Sequence, residues 1–342
     1  MTKQCVLMRH GLALYNSQPI GTCCYNSSDP ATHTSYDIDP VHCRACIEQE
    51  ENQQHSYRMG ANQKYGLVHA HNDPIVLDLT PNRNCNLACC ICSENSSSTW
   101  AKLKKIPITQ SYNISVKKTV EKLKDINLIN VREINFSGGE PLLNSNIVKY
   151  LQTFEDRINF SQCTLRFSTN GSQKITPSQL DFFQKFKLVL ARFSLDDIEH
   201  RHEYQRYPSK WKEWQQNWDY FLNTIPHNVI PSINRTVGIL NIANLDDLNQ
   251  WHQQRPYSRF GDQIDLIDHF VMGPYSLNNL TEPLKQYIFN KCGPDSLSWK
   301  YVQNRRTVHD TTQLKEAIHL NDSLQKKTFQ NVDPELYNII FK

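Results

Sequence analysis

The sequence predicts an α/β fold, an open and partial parallel barrel of six strand–helix units preceded by a small cysteine-rich module. Three observations carry this. From about residue 74 onward, short apolar runs alternate with helix-length segments, the pattern of βαβ units and a parallel sheet. The preceding segment lacks that periodicity and concentrates Cys, His, Asn, Gln and Ser, so it can bury little core unaided and a metal centre is a plausible source of order. Six units are too few to close an eight-stranded barrel, so the sheet stays open.

The first strand is read over 75–79, followed by a helix over 116–124. Residues 133–136 form the second strand and 147–154 its helix; 164–168 form the third strand and 179–185 its helix. The fourth strand is 188–194, after which Trp211, Trp214 and Trp218 recur at helical spacing and read as helix packing. A fifth strand over 232–240, a helix over 245–252 and a sixth strand over 264–271 complete the barrel. The organisation expected is a cysteine-rich module over 1–70, the barrel over 71–275 and a mixed, partly helical extension over 276–342.

A chain of 342 residues, 39% of them hydrophobic, can bury a sizeable core. The net charge of +3 does not point to nucleic acid or to an anionic membrane surface. The N-terminus lacks the apolar region of a signal peptide and no apolar run reaches membrane-spanning length, so a cytoplasmic location is expected. The cysteines fall in groups. Cys5, Cys23, Cys24, Cys43 and Cys46 form one, Cys85, Cys89, Cys90 and Cys92 another, and Cys163 and Cys292 stand apart. Without an export signal, such grouping favours metal ligation over disulfides.

The second group reads Asn84-Cys85-Asn86-Leu87-Ala88-Cys89-Cys90-Ile91-Cys92, a C-x3-C-x2-C spacing directly after the first strand. Three thiolates from one short loop can hold three corners of a [4Fe–4S] cube and leave the fourth iron open to a ligand. By spacing Cys90 is a non-ligand. A four-cysteine zinc ribbon made by Cys43-x2-Cys46 and Cys89-x2-Cys92 is the competing reading; it leaves Cys85 unused.

The loop resembles the signature of the radical S-adenosylmethionine (SAM) superfamily, C-x3-C-x-φ-C, with Ile91 at the apolar position φ. The resemblance implies a partial, TIM-like (β/α)6 barrel and SAM chelated at the open iron of a Cys85/Cys89/Cys92 cluster. It assigns the SAM amino group to Gly138, Gly139 and Glu140 in the Gly-Gly-Glu-Pro run after the second strand. Ser168 and Asn170 after the third strand, and Ser194 and Asp196 after the fourth, become candidates for the ribose hydroxyls and the SAM carboxylate; as polar residues at strand ends they also fit ordinary turns and caps. Ile239 on the fifth strand is the adenine contact implied. All of these lie at carboxyl ends of strands, the edge on which parallel barrels build their sites.

The N-terminal cysteines resemble the auxiliary-cluster half-module called a twitch domain, here preceding the barrel. That resemblance implies a second [4Fe–4S] cluster on Cys5, Cys23, Cys43 and Cys46, with Cys24 as the alternative to Cys23 and a structural zinc site as the alternative to iron–sulfur. The function implied is reductive cleavage of SAM to a 5′-deoxyadenosyl radical that abstracts a substrate hydrogen, with a flavodoxin or ferredoxin as reductant. The substrate expected by analogy is a peptide or protein; a small metabolite or nucleotide is the second reading, and a non-catalytic zinc or iron–sulfur binding protein the third. No general acid or base can be chosen from the sequence.

Overall fold

In the computed structural model, which describes residues 4–15, 21–23, 35–51, 55–67, 73–107, 116–257 and 264–342, the apolar runs become seven parallel strands. They are β1 (Gly11–Tyr15), β2 (Val76–Thr80), β3 (Glu133–Phe136), β4 (Thr164–Thr169), β5 (Leu188–Ser194), β6 (Val229–Val237) and β7 (Asp265–Phe270). Each pairs only with its neighbours in chain order, from β1 at one edge to β7 at the other. This is the open α/β sheet of a partial barrel.

The seventh strand is β1, which the sequence reading left inside an irregular segment. Gly11-Leu12-Ala13-Leu14-Tyr15 carries no β-branched residue, and its strand character comes from pairing with β2, Gly11 opposite Val76 through Tyr15 opposite Thr80. The strand β6 begins three residues earlier than expected because Pro231, opposite Ala191 on β5, is tolerated inside it despite lacking an N–H. It ends at Val237 because Gly238 turns the chain. A Cβ there would lie 2.4 Å from Val271 Cγ1, and its N–H donates to Asn241 Oδ1 at 2.9 Å.

The helices that follow the strands include α5 (Val116–Leu123), α6 (Asn146–Leu151), α7 (Pro177–Phe183), α8 (Glu199–Gln205), α9 (Trp211–Thr224) and α10 (Leu245–Gln253). The helix α7 starts where Thr176 and Gln179 form a reciprocal capping box with proline at the first turn. On α9, Trp214 and Trp218 are fully buried, stack on one another and meet Phe193 of β5 edge-on. The tryptophan stripe is therefore core, and truncating either ring to alanine would cost about 3–5 kcal/mol.

Along β5, Val189, Ala191 and Phe193 are buried, and Leu190, Arg192 and Ser194 turn to the opposite, concave face. That face carries Asp78, Glu133, Asn135, Arg166, Ser168, Arg192 and His269. Part of it is covered from the N-terminal segment by α3 (Tyr57–Tyr65), which follows α2 (Arg44–Glu51). Lys64 and the Tyr65 hydroxyl bind Glu133, and Asn135 Nδ2 donates to the Tyr57 hydroxyl at 3.0 Å.

The extension beyond residue 276 is helical rather than mixed. It comprises α11 (Glu282–Cys292), α12 (Leu297–Val302), α13 (Thr312–Gln325), α14 (Phe329–Val332) and α15 (Pro334–Phe341) with short 3-10 turns before them. Side chains of Thr281, Ser296 and Asp333 cap three of these helices at their N-termini. Leu284, Ile288, Leu314, Ile318 and Leu336 pack with Val237, Ile239 and Cys90 into a second apolar cluster under the end of β6. No described helix is long and apolar enough to cross a membrane.

Candidate functional site

The cysteine loop leaves the carboxyl end of β2 and is clamped from two sides. From α4 (Ser98–Leu103), Ser98 Oγ and Thr99 Oγ1 donate to the Cys85 carbonyl at 3.1 and 2.7 Å, and Trp100 Nε1 donates to the Cys89 carbonyl at 2.9 Å. From the last residue of α8 and just past it, the carbonyls of Gln205 and Tyr207 accept from the N–H groups of Cys90 and Ala88 at 2.8 and 2.6 Å. The loop is thus a preformed scaffold whose backbone polar groups are taken up by the protein.

The four sulfurs of the loop do not all face the same way. Asn170 Nδ2 lies 3.7 Å from Cys85 Sγ, Arg206 Nη1 lies 3.9 Å from Cys89 Sγ, and Cys89 and Cys92 are near enough to share a hydrogen bond. Cys90 points away, with its sulfur 3.5 Å from the Tyr204 carbonyl and 3.9 Å from Gln325 Nε2 of α13. Burial pushes the Cys85 thiol up to about 12, with the Cys89 sulfur adding to the shift. Within the Cys89–Cys92 pair the shared hydrogen bond raises Cys89 and lowers Cys92.

Arg206, just past α8, lies against the cysteine loop and was not singled out by the sequence reading. Its guanidinium is buried, its Nη2 is 2.8 Å from Asp196 Oδ2, and its Nε has no hydrogen-bond partner among the described residues. Burial by itself would lower its pKa, but Asp196 and the Cys89 sulfur raise it. A cation fixed beside the cysteine loop favours thiolates there over thiols.

Most of the predicted strand-end residues converge on this loop, several of them through the protein's own hydrogen bonds. A Cβ on Gly138 or Gly139 would lie 2.3 Å from the Asn82 carbonyl oxygen or 2.0 Å from that of Asn84. The glycine pair therefore lets β3's end press against the root of the cysteine loop; Gly138 also has a φ of +119°. Glu140 is buried and accepts from Thr169 Oγ1 (2.6 Å), Asn170 N–H (2.7 Å) and Leu142 N–H (3.0 Å). Burial raises its pKa against these donors. Of roughly four lone-pair positions on a carboxylate, three are used internally.

Asn170 bridges the Cys85 sulfur to Asn86 Oδ1 at 3.1 Å. Asp196 accepts the Thr236 N–H at 2.8 Å besides pairing with Arg206. Ser168 is exposed to the interior cavity and Ser194 ends β5 on the same face. Ile239 is fully buried in the second apolar cluster, its N–H donating to the Tyr275 carbonyl at 2.9 Å.

The structure gathers the other cysteine group separately. Cys5, Cys23, Cys43 and Cys46 line one small void together with Leu7, Met8, Tyr57 and Arg58. Burial pushes Cys5 up to about 11, with Cys43 and Cys46 adding to the rise. The buried Arg58 beside them pairs with Glu50 of α2. Cys24 lies outside the described residues. Cys43 and Cys46 thus share a void with Cys5 and Cys23, and Cys89 and Cys92 share a loop with Cys85. Among the described residues no three His, Cys, Asp or Glu side chains converge as around a single ion; ligands of a cluster bind different irons and need no such convergence.

Residues 79–247 match the family model of the Radical SAM superfamily. The match takes in just under half of the chain. The matched span runs from the end of β2 into α10 and contains the cysteine loop and every strand-end residue named above. Among solved structures the chain is similar to a hexahistidine-tagged anSMEcpe with bound AdoMet (18% identity, 68% of this chain and 60% of that one, TM-score 0.41). It is also similar to Streptococcus suis SuiB bound to S-adenosylmethionine (16% identity, 81% and 62%, TM-score 0.40). The chain spans about three fifths of the length of each. No curated protein matches it.

The family whose model matches implies SAM and a [4Fe–4S] cluster, and the residues present fit that pair. The donor set is three cysteines on one loop with no competing carboxylate or imidazole among them, Cys90 is turned aside, and the buried Arg206 brings Nη1 to 3.9 Å from Cys89 Sγ. Cys85, Cys89 and Cys92 are the residues that would hold the cluster.

Proposed function

We propose that this chain is a radical SAM enzyme that abstracts hydrogen from a substrate held on the concave face of its sheet. The single observation that carries the reading is the cysteine loop itself, with three sulfurs beside Asn170 and the buried Arg206 and the fourth, Cys90, excluded. The bound cluster and SAM supply a 5′-deoxyadenosyl radical. This chain's own residues hold the loop rigid through α4, keep a fixed cation beside it through Asp196 and Arg206, and leave Ser168 and Ser194 open on the concave face for polar groups of SAM.

The concave face also supplies room for a substrate. A cavity of about 610 Å³ lies between α3 and the sheet. Such a volume is that of a small-molecule site, about 300–1,000 Å³, and supports a metabolite, a nucleotide or a single peptide residue over an extended peptide. The four-cysteine void supports a second metal group on Cys5, Cys23, Cys43 and Cys46 in a twitch-like module. A flavodoxin or ferredoxin is the reductant that fits the chemistry.

The test is anaerobic reconstitution with iron, sulfide and a strong reductant, followed by measurement of 5′-deoxyadenosine from SAM. Formation of 5′-deoxyadenosine that is lost on Cys85→Ala, Cys89→Ala or Cys92→Ala is expected. A chain that assembles its cluster and yields none is not a radical SAM enzyme.

A further inference from the structure

The cavity under α3 is charged in a way that the SAM-binding residues do not account for. Its walls carry three cations, Lys64, Arg166 and Arg192, against two carboxylates, Asp78 and Glu133. Glu133 serves two of the cations at once. Lys64 contacts one of its oxygens, and Arg166 Nε lies 3.0 Å from the other. Asp78 accepts from Asn135 Nδ2 at 2.5 Å. Arg192 is left over, since among the described residues its guanidinium has neither an ion-pair nor a hydrogen-bond partner.

Arg192 sits on the concave face of β5, opposite Ser168 of β4 and two residues before Ser194. A separation of two residues along a strand is about 6–7 Å, so Arg192 lies deeper in the barrel than Ser194, at the level of Ser168. Two further groups on the cavity walls can contact a guest. Ser168 is exposed to the cavity, and the ring nitrogens of His269 on β7 have no hydrogen-bond partner among the described residues. Burial, with Arg192 adding to it, lowers the His269 pKa, so its imidazole is neutral at pH 7 and offers one donor and one acceptor. A half-buried arginine that feels Glu133 only at a distance, while Lys64 and Arg166 pair with it directly, is costly unless a ligand brings an anion, and a planar guanidinium matches carboxylate or phosphate oxygens in pairs.

We propose that the substrate of this enzyme carries an anionic group, a carboxylate or a phosphate, that pairs with Arg192 and is flanked by His269. The proposal rests on the radical SAM reading for the word substrate, but not for the anion site itself. Inorganic phosphate and acetate, titrated separately into the full chain by calorimetry or by line broadening of their own resonances, are the probes. Both should bind, with phosphate the tighter if the natural group is a phosphate and acetate comparable if it is a carboxylate. Arg192→Gln should weaken binding roughly tenfold or more, the scale of losing a charge-assisted pair. Arg192→Lys, which keeps the charge and loses the fork, should fall between, and it carries the test if Arg192→Gln fails to fold.

Anion binding unchanged in both variants overturns the proposal. So does competition of both anions with SAM for one site, since Arg192 would then belong to the SAM carboxylate. Anion binding that depends on Arg192 in a chain that forms no 5′-deoxyadenosine supports the site and sinks the enzyme reading, so the two failures are distinguishable.

Discussion

Replacing Asp196 with asparagine isolates the charge beside the cysteine loop. Arg206 is 5% exposed and Asp196 3%, with 2.8 Å between Nη2 and Oδ2. Asparagine keeps an oxygen for the Thr236 N–H, so the link to β6 survives. What disappears is the anion, and an amide N–H then faces the guanidinium. Arg206 cannot deprotonate and cannot reach water, so removing its partner should cost about 3–5 kcal/mol. Against a total stability of about 5–15 kcal/mol, that is a large share. The assay is urea unfolding of the metal-free chain at fixed pH, followed by far-UV circular dichroism and by fluorescence of the buried Trp214 and Trp218. The midpoint should fall with little change in slope. The double variant D196N/R206M should recover at least half of the loss, because the orphaned charge leaves with its partner. A D196N midpoint equal to the parent's, or a double variant as unstable as the two singles summed, refutes the reasoning.

Further outcomes follow from other contacts. Cys90→Ala should keep SAM cleavage and about four irons per loaded cluster, since its sulfur faces Tyr204 and Gln325; loss of the cluster would show that the ligand register is misassigned. Iron analysis should give about eight atoms per chain if both cysteine groups hold cubane clusters, falling to about four in a Cys43→Ala/Cys46→Ala variant; a parent value near four with stoichiometric zinc would assign the N-terminal group to zinc. Gly139→Ala places a Cβ 2.0 Å from the Asn84 carbonyl oxygen, so it should displace the cysteine loop and cut iron loading severalfold; unaltered loading would show that the two loops can part freely. His202 is fully buried, with its pKa lowered to about 3 mainly by desolvation. The unfolded chain therefore takes up a proton that the folded chain refuses, and stability falls as pH drops below about 6.5, by about 2 kcal/mol at pH 5. His202→Gln should flatten that part of the pH–stability curve, and an unchanged slope would place the proton elsewhere.

The cysteine loop and the strand-end residues were legible because their chemistry is concentrated in short runs that survive without knowledge of packing. The sense of the glycine pair was not. Gly138 and Gly139 read as room for a ligand, and the Asn82 and Asn84 carbonyls that fill that room come from a loop more than fifty residues away in sequence. Arg206 was invisible for a related reason, since nothing local ties it to Asp196, ten residues earlier, until α8 has formed. The strand β1 was missed because its five residues include no β-branched side chain and depend on β2 for their conformation. The charged cavity could have been suspected. Strands buried on both faces read as continuous apolar runs, whereas Arg166-Phe167-Ser168 and Arg192-Phe193-Ser194 alternate, a sign that one face meets something polar.

Tyr57 belongs to two compartments at once. Its side chain lines the four-cysteine void on one side and the large charged cavity on the other, and its hydroxyl is tethered to Asn135 on β3. The ring is a shared partition, anchored at its far end to the sheet and at its near end to the first turn of α3. Protein interiors compress little, so a change of volume behind such a partition becomes a displacement in front of it. The shape offered to a guest in the larger chamber is therefore set partly by whatever fills the smaller one, over a distance of one aromatic ring.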